Sequence, residues 1–293
     1  METTGYAAAW TREENLEGLN VRIHDGVPLE ELRARADRYR GSMFDVLYPM
    51  ARPNPGDRVM EFGSGVGWIM ESVLEGFPAI HLTGLDISEN MITRARERFK
   101  DPRAEFALYD GFTFPFPDDY FQVLYSCAAV QHIEKHIAYL LFREMYRVLA
   151  PGGHAVIHLM SVHCMTWSVI PFDQECWNHV KNLPEHWHHY YAFDELKVLF
   201  SDLIGVDDFD VRHHPELGSF YVHFSKGTGR RFLRPDVPTL TYAHHFEVRP
   251  PRPSLWHRVR HRVATSPVGP ALRPGYRALR DAVRRRRGSV SSD

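Results

Sequence analysis

The sequence has no stretch of about 18 consecutive apolar residues, the length a helix needs to cross a bilayer. Its opening, Met1-Glu2-Thr3-Thr4, lacks the basic residues and apolar core of a secretory signal, which points to a cytoplasmic protein. Cysteine is scarce, with only Cys127, Cys164 and Cys176 among 293 residues. Three widely spaced thiols form neither a disulfide framework nor a zinc-ligand pattern, and they read as reduced. Net charge is also small, at −2. That figure hides an asymmetry. Residues 249–293 hold twelve arginines, no lysine and two acids, which leaves 23 basic against 35 acidic residues elsewhere. The body therefore lacks the basic excess of a nucleic-acid platform, and nucleic acid is excluded as a partner, while the tail is a polycation.

What is present is the composition of an ordinary globular chain, 44% hydrophobic and 25% charged. Residues 1–57 read as an N-terminal helical cap. Leu32, Ala36, Tyr39, Met43 and Leu47 share one face of a helix over Leu29–Leu47. Residues 58–225 then alternate apolar runs with helical stretches. Strands are expected at Val59–Phe62, Ile80–Asp86, Ala104–Leu108, Phe121–Ser126 and Ala155–Met160, with helices at Trp68–Glu75, Ser88–Phe99 and Glu134–Leu149. That alternation argues an α/β fold, a parallel sheet with helices on both faces. A helix at Phe193–Phe200 and a hairpin of Val206–Val211 with Phe220–Phe224 would add one antiparallel strand. Residues 161–191 form a long insertion rich in Trp, His and Tyr, and 226–293 a Pro/Arg-rich C-terminal extension.

The chemistry begins at Glu61-Phe62-Gly63-Ser64-Gly65-Val66-Gly67, between the first strand and a helix. Glycines let the backbone turn sharply and approach a ligand, and the helix start offers unpaired N–H groups. The spacing G-x-G-x-G departs from the dinucleotide fingerprint G-x-G-x-x-G, and an acid before the loop would repel a pyrophosphate. Both features argue against a nucleotide-dependent dehydrogenase. An intact loop argues against a catalytically silent relative. Glu61 suits a ligand ammonium. Asp86, ending the second strand, suits two ribose hydroxyls. Asp110-Gly111, after the third strand, suits an adenine amino group.

In this order and spacing, the motifs resemble the class I S-adenosylmethionine-dependent methyltransferases of the small-molecule type. The matching residues are Glu61–Gly67, Leu85-Asp86-Ile87-Ser88 with Met91, Asp110-Gly111, Pro115-Phe116-Pro117-Asp118, Phe121–Ser126 and Arg147 to Gly153. Gln122 stands where the family usually has Asp. The resemblance implies a Rossmann-like doubly wound sheet of seven strands, mostly parallel with an antiparallel last strand. It further implies S-adenosyl-L-methionine as cofactor, bound by Glu61, Gly63, Ser64, Gly65, Gly67, Asp86, Ile87, Met91, Asp110, Gly111 and Ser126.

Methyl transfer to a hydroxyl needs a base, whereas an amine or thiolate acceptor needs little beyond alignment. In the family, that base commonly follows the fourth strand, where this chain has His132. The alternative for His132 is a capping or packing role. His158, near the end of the fifth strand, is the second catalytic candidate, with burial in the sheet as its alternative. His163, Trp167, His186, Trp187, His188, His189, Tyr190 and Tyr191 in the insertion offer apolar faces with polar edges, which suit a saccharide. The same histidines raise a divalent metal without supplying a clear ligand motif. The expected reaction is O-methylation of a saccharide or similar polyol. The overall style is similar to bacterial sugar O-methyltransferases, including those of methylmannose polysaccharide biosynthesis. A lipid or other membrane-borne acceptor is the alternative. The basic tail, with Trp256 among its arginines, suits peripheral membrane contact or docking in a homodimer.

Overall fold

The protein is described from a computed structural model, which covers Trp10 and residues 27–162, 188–206, 208–214 and 219–227. All of these belong to one unit of the chain, Met1–Leu240. In chain order the strands are β1 (Arg58–Phe62), β2 (His81–Asp86), β3 (Ala104–Leu108), β4 (Phe121–Ser126), β5 (Leu149–Ser161), β6 (Tyr190–Tyr191), β7 (Phe209–His214) and β8 (Ser219–Ser225). The helices are α1 (Leu29–Arg40), α2 (Trp68–Gly76), α3 (Glu89–Arg98), α4 (Lys135–Val148) and α5 (Phe193–Lys197). The sheet order is β3-β2-β1-β4-β5-β8-β7, with the two-residue β6 paired to β5. β8 is antiparallel to both its neighbours, and the remaining pairs are parallel. This is the expected mostly parallel sheet with a reversed last strand. Chain order runs outward from β1 in one direction and from β4 in the other. The crevice for a ligand therefore opens at the carboxyl ends of β1 and β4.

Burial on both faces explains the apolar character of the central strands. Val59, Met60 and Phe62 of β1, and Val123, Leu124 and Tyr125 of β4, are at most 2% exposed. One face packs against α2 and the segment Gly41–Leu47 through Met43, Phe44, Met70, Val73, Tyr125, Val156 and Tyr221. The opposite face carries Phe220, Phe224, Phe142 and Phe200.

Three of the boundaries that differ from the sequence expectation have a clear physical reason. The helix from Leu29 is α-helical only to Arg40 and continues as a π-helical stretch, Gly41–Leu47. The wider turn buries the adjacent Met43 and Phe44 together with Leu47. β5 starts at Leu149, six residues before the expected Ala155. Leu149 pairs with Phe121, and a register shift then carries the pairing to His154. β7 starts at Phe209 because Val206 closes the preceding helical turn, donating its N–H to the Phe200 carbonyl at 2.8 Å after left-handed Gly205 (φ 81°). The basic C-terminal extension lies outside the described residues from Thr228 onward.

Candidate active site

The loop between β1 and α2 is pinned to the end of β2. Gly63 and Ser64 donate their N–H groups to the Leu85 carbonyl at 2.8 and 3.2 Å, and Gly67 donates to Ser64 at 2.9 Å. Gly63, Gly65 and Gly67 all hold positive φ. At Gly63 the requirement is doubled, because a Cβ there would overlap the Cβ of Ala129, just beyond β4. The two loops flanking the crevice thus touch where only hydrogen fits. Asp86 bridges the site. One carboxylate oxygen accepts from Gly65 N–H at 2.8 Å and the other from Ser88 N–H at 2.9 Å. Burial raises its pKa, and these backbone donors pull it back.

On the side assigned to adenine, Asp110 accepts from Phe112 and Thr113 N–H at 2.8 and 2.7 Å, which shapes the turn after β3. A Cβ on left-handed Gly111 would lie 3.3 Å from Ile87 Cδ1, so these two predicted residues face each other. Met91 is 3% exposed and packs with Val66, Trp68 and Trp10. Ser64 Oγ is buried without a hydrogen-bond partner. An unpaired buried hydroxyl costs about 1–3 kcal/mol, and here it sits in the loop that would cradle a polar ligand. With the glycine cradle and the Asp86 carboxylate, it fits S-adenosylmethionine.

Two expected cofactor contacts take another form. Glu61 is 1% exposed and accepts a hydrogen bond from the Tyr125 hydroxyl at 3.0 Å. Burial, with Asp86 nearby, raises its carboxyl well above the usual range, against the opposing pull of the Tyr125 and Met70 donors. Ser126 is corrected: its buried hydroxyl donates to the Phe62 carbonyl at 2.9 Å and ties β4 to β1 instead of facing a ligand.

His132 ends a short 3-10 turn, Val130–His132, after β4. Its ring lies 5.2 Å from that of Trp10 and 5.0 Å from that of His188, and its Nε2 lies 3.3 Å from the Gln131 amide nitrogen. His189 donates its backbone N–H to the Gln131 carbonyl at 2.7 Å. The structure therefore brings His132, His188 and His189 together. His158 is 4% exposed, and burial lowers its pKa to about 4, so it stays neutral near pH 7. Its Nδ1 accepts from Ala128 N–H at 3.3 Å. Ala128 has φ 56°, a left-handed conformation that costs a non-glycine residue about 1–2 kcal/mol. With Nδ1 occupied as an acceptor, the neutral ring carries its proton on Nε2. That tautomer gives a donor, which corrects the expectation of a second base. Tyr191 is also corrected. It is fully buried, with Phe142 at 6.5 Å and the Lys135 ammonium 4.9 Å from its ring centroid, so it belongs to the core. Tyr190 is 9% exposed beside His188. His163, Trp167, His186 and Trp187 lie outside the described residues. Among the described residues, no group of three or more His, Cys, Asp or Glu is placed to hold a metal. No described helix is long and apolar enough to cross a membrane.

Sequence reasoning missed the clamp on the glycine loop. Arg98 donates to the Val66 and Gly67 carbonyls at 3.2 and 3.1 Å, pairs with Glu71, and lies 3.7 Å over the Trp68 ring. A basic residue in the last turn of α3 reads as an ordinary surface charge until the loop is folded beside it. Arg147 in the matched Arg147–Gly153 stretch does a similar service. It holds the Phe114 and Phe116 carbonyls and Asp118 at 3.0, 2.9 and 2.7 Å, which explains why Pro115–Asp118 and Arg147 belong to one pattern.

Comparison with known proteins bears on the fold and the enzyme class. Residues 59–153 match the family model described as a methyltransferase domain. The chain is 34% identical over 109 residues to phosphoethanolamine N-methyltransferase 2 of Caenorhabditis elegans, covering 35% of this chain and 24% of that protein. It is 30% identical over 151 residues to the malonyl-[acyl-carrier protein] O-methyltransferase of Marinomonas sp. (strain MWYL1), covering 51% and 53%. The chain thus spans about a quarter to a half of the length of these relatives. Its fold is similar to that of Haemonchus contortus phosphoethanolamine N-methyltransferase 2 in complex with S-adenosyl-L-methionine. The TM-score is 0.54 at 18% identity, over 73% of this chain and 47% of that one. Strand order, glycine loop and family match converge: residues 59–153 form a methyltransferase domain with the sheet order of the class I S-adenosylmethionine-dependent enzymes.

Proposed function

We propose that the chain is an O-methyltransferase that uses S-adenosylmethionine to methylate a hydroxyl of a saccharide or similar polyol, with His132 as general base. The observation that carries this reading is the position of His132 in the turn just beyond the carboxyl end of β4. Burial raises the Glu61 carboxyl and the Cys127 thiol and lowers the His158 imidazole, so each is pushed toward its neutral form. His132 is the half-buried imidazole at the mouth of that region, oriented by Gln131. A hydroxyl acceptor needs such a base. The sulfonium supplies an electrophilic methyl carbon. The protein's own part is to bind, align, exclude water and accept the hydroxyl proton at a ring nitrogen of His132.

Several relatives are named for phosphoethanolamine, which makes that amine the competing acceptor. Labelled methyl transfer to a saccharide panel and to phosphoethanolamine separates the two. General-base loss costs about 10²–10⁴-fold in rate. His132→Ala should lower turnover on the hydroxyl acceptor by that factor with product-cofactor affinity unchanged. Near-native turnover in that variant rejects the base assignment.

A further inference from the structure

One indole ring touches both loops that flank the crevice. On one side the half-buried Trp10 packs on Val66 and Met91, as Trp68 does. Val66 stands between Gly65 and Gly67 in the loop after β1. On the other side, the Trp10 ring lies 5.2 Å from that of His132, in the turn after β4, with the two planes tilted by 55°. Trp10 thus reaches from the glycine loop to the proposed base, across the edge where β1 and β4 end.

The two contacts demand different things of the side chain. Any large apolar group can cover Val66 and Met91. Against His132, an aromatic ring does more, because its electron-rich face attracts a cation within about 6 Å of its centre. A neutral imidazole gains little from that face, whereas an imidazolium is stabilised by it. His132 becomes an imidazolium when it takes a proton. The titratable and charged groups on the flanking elements are accounted for in turn. The His188 ring lies 5.0 Å from that of His132, and it opposes a charge there only when it is itself protonated. Glu134 follows two residues on, and Lys135 is engaged by Glu195 at 2.7 Å. Burial pushes Cys127 and His158 toward their neutral forms. Arg98, across the glycine loop, pairs with Glu71 and stacks on Trp68.

We propose that Trp10 is a positioning residue for His132: its ring holds the imidazole at the mouth of the crevice and stabilises the imidazolium formed when the acceptor's hydroxyl proton moves to the ring. This rests on the reading of His132 as general base and deepens it. A face that favours the charged ring raises the pH at which that ring loses its proton, so removing the face lowers that pH.

The test uses the full chain with S-adenosylhomocysteine and needs no known acceptor for its first arm. NMR follows the His132 ring signal through a pH titration, with the signal assigned by its loss in His132→Gln. Trp10→Leu keeps an apolar side chain and removes the aromatic face. It should lower the His132 midpoint by about 0.4–1.5 pH units, the range of one cation–π contact. Trp10→Phe should recover part of that shift, while the two variants melt at similar temperatures. The second arm measures labelled methyl transfer to methyl α-mannopyranoside and to phosphoethanolamine. Trp10→Leu should lower kcat on the hydroxyl acceptor about 2- to 30-fold with KM little changed, and Trp10→Phe should restore part of it. An unmoved midpoint in Trp10→Leu, or equal shifts in the leucine and phenylalanine variants, overturns the proposal and leaves the base assignment standing. A shifted midpoint with unchanged kcat, or transfer to phosphoethanolamine alone, overturns it through the base assignment on which it rests.

Discussion

Gly63→Ala is the sharpest probe of how the two crevice loops fit. The substitution carries two separable costs. Alanine must adopt φ near 72°, a left-handed conformation worth about 1–2 kcal/mol against it. Its Cβ must also share space with Ala129 Cβ, far inside the roughly 3.5–4.0 Å carbon–carbon optimum. Overpacking of this kind costs about 1–3 kcal/mol. The total, about 2–5 kcal/mol, corresponds to a loss of roughly 4–20 °C in melting temperature for a domain of this size. Gly65→Ala is the internal control. It has φ 52° but nothing within 4 Å of its added Cβ, so only the backbone cost of about 1–2 kcal/mol applies. Ala129→Gly in the Gly63→Ala background should recover the overpacking part, less about 0.5–1 kcal/mol for the new glycine. Thermal melts of the four proteins, with calorimetric titration of S-adenosylhomocysteine, measure each part. If Gly63→Ala and Gly65→Ala melt together, or Ala129→Gly recovers nothing, the loop contact does not exist as described.

Arg98→Ala should loosen the glycine loop and weaken S-adenosylhomocysteine binding about 5- to 150-fold, as charge-assisted hydrogen bonds to two carbonyls are lost. Arg98→Lys should rescue poorly, since an ammonium cannot reproduce the planar fork stacked on Trp68; full rescue by lysine would refute the clamp. Glu61 supplies a pH signature. Its carboxyl is raised by burial, so between the unfolded and folded pKa values the folded chain holds a proton that the unfolded chain does not, and Glu61 costs stability as pH rises through that window. A ligand ammonium would lower that pKa and expel the proton. The binding enthalpy of S-adenosylhomocysteine should therefore depend on the ionisation enthalpy of the buffer, and Glu61→Gln should abolish the dependence while raising stability at neutral pH. A buffer-independent enthalpy in the native protein would place Glu61 outside the cofactor's reach.

Local chemistry and periodicity determined much of this protein. The alternation of apolar runs with helical stretches located β1 to β4 within a residue; burial on both faces leaves apolar runs in the central β1 and β4, whereas the edge strand β3 has no buried residue. The left-handed turns at Gly63, Gly65 and Gly67 announced the loop, since other residues rarely adopt that backbone. Asp86 was legible from its place at the end of a strand. Tertiary structure alone decided which polar side chains face each other. Ser126 and Tyr191 carry the same chemistry as residues that bind ligands, but register turns one toward Phe62 and folds the other into the core. The His158 tautomer depends on an N–H thirty residues away, and the Arg98 clamp on a loop more than thirty residues away. Tyr221, Ser219 and His214 share one sheet face only because β8 inserts antiparallel between β5 and β7. Sequence spacing encodes conformation over a few residues, whereas burial and pairing depend on neighbours that the chain meets only after the sheet has closed.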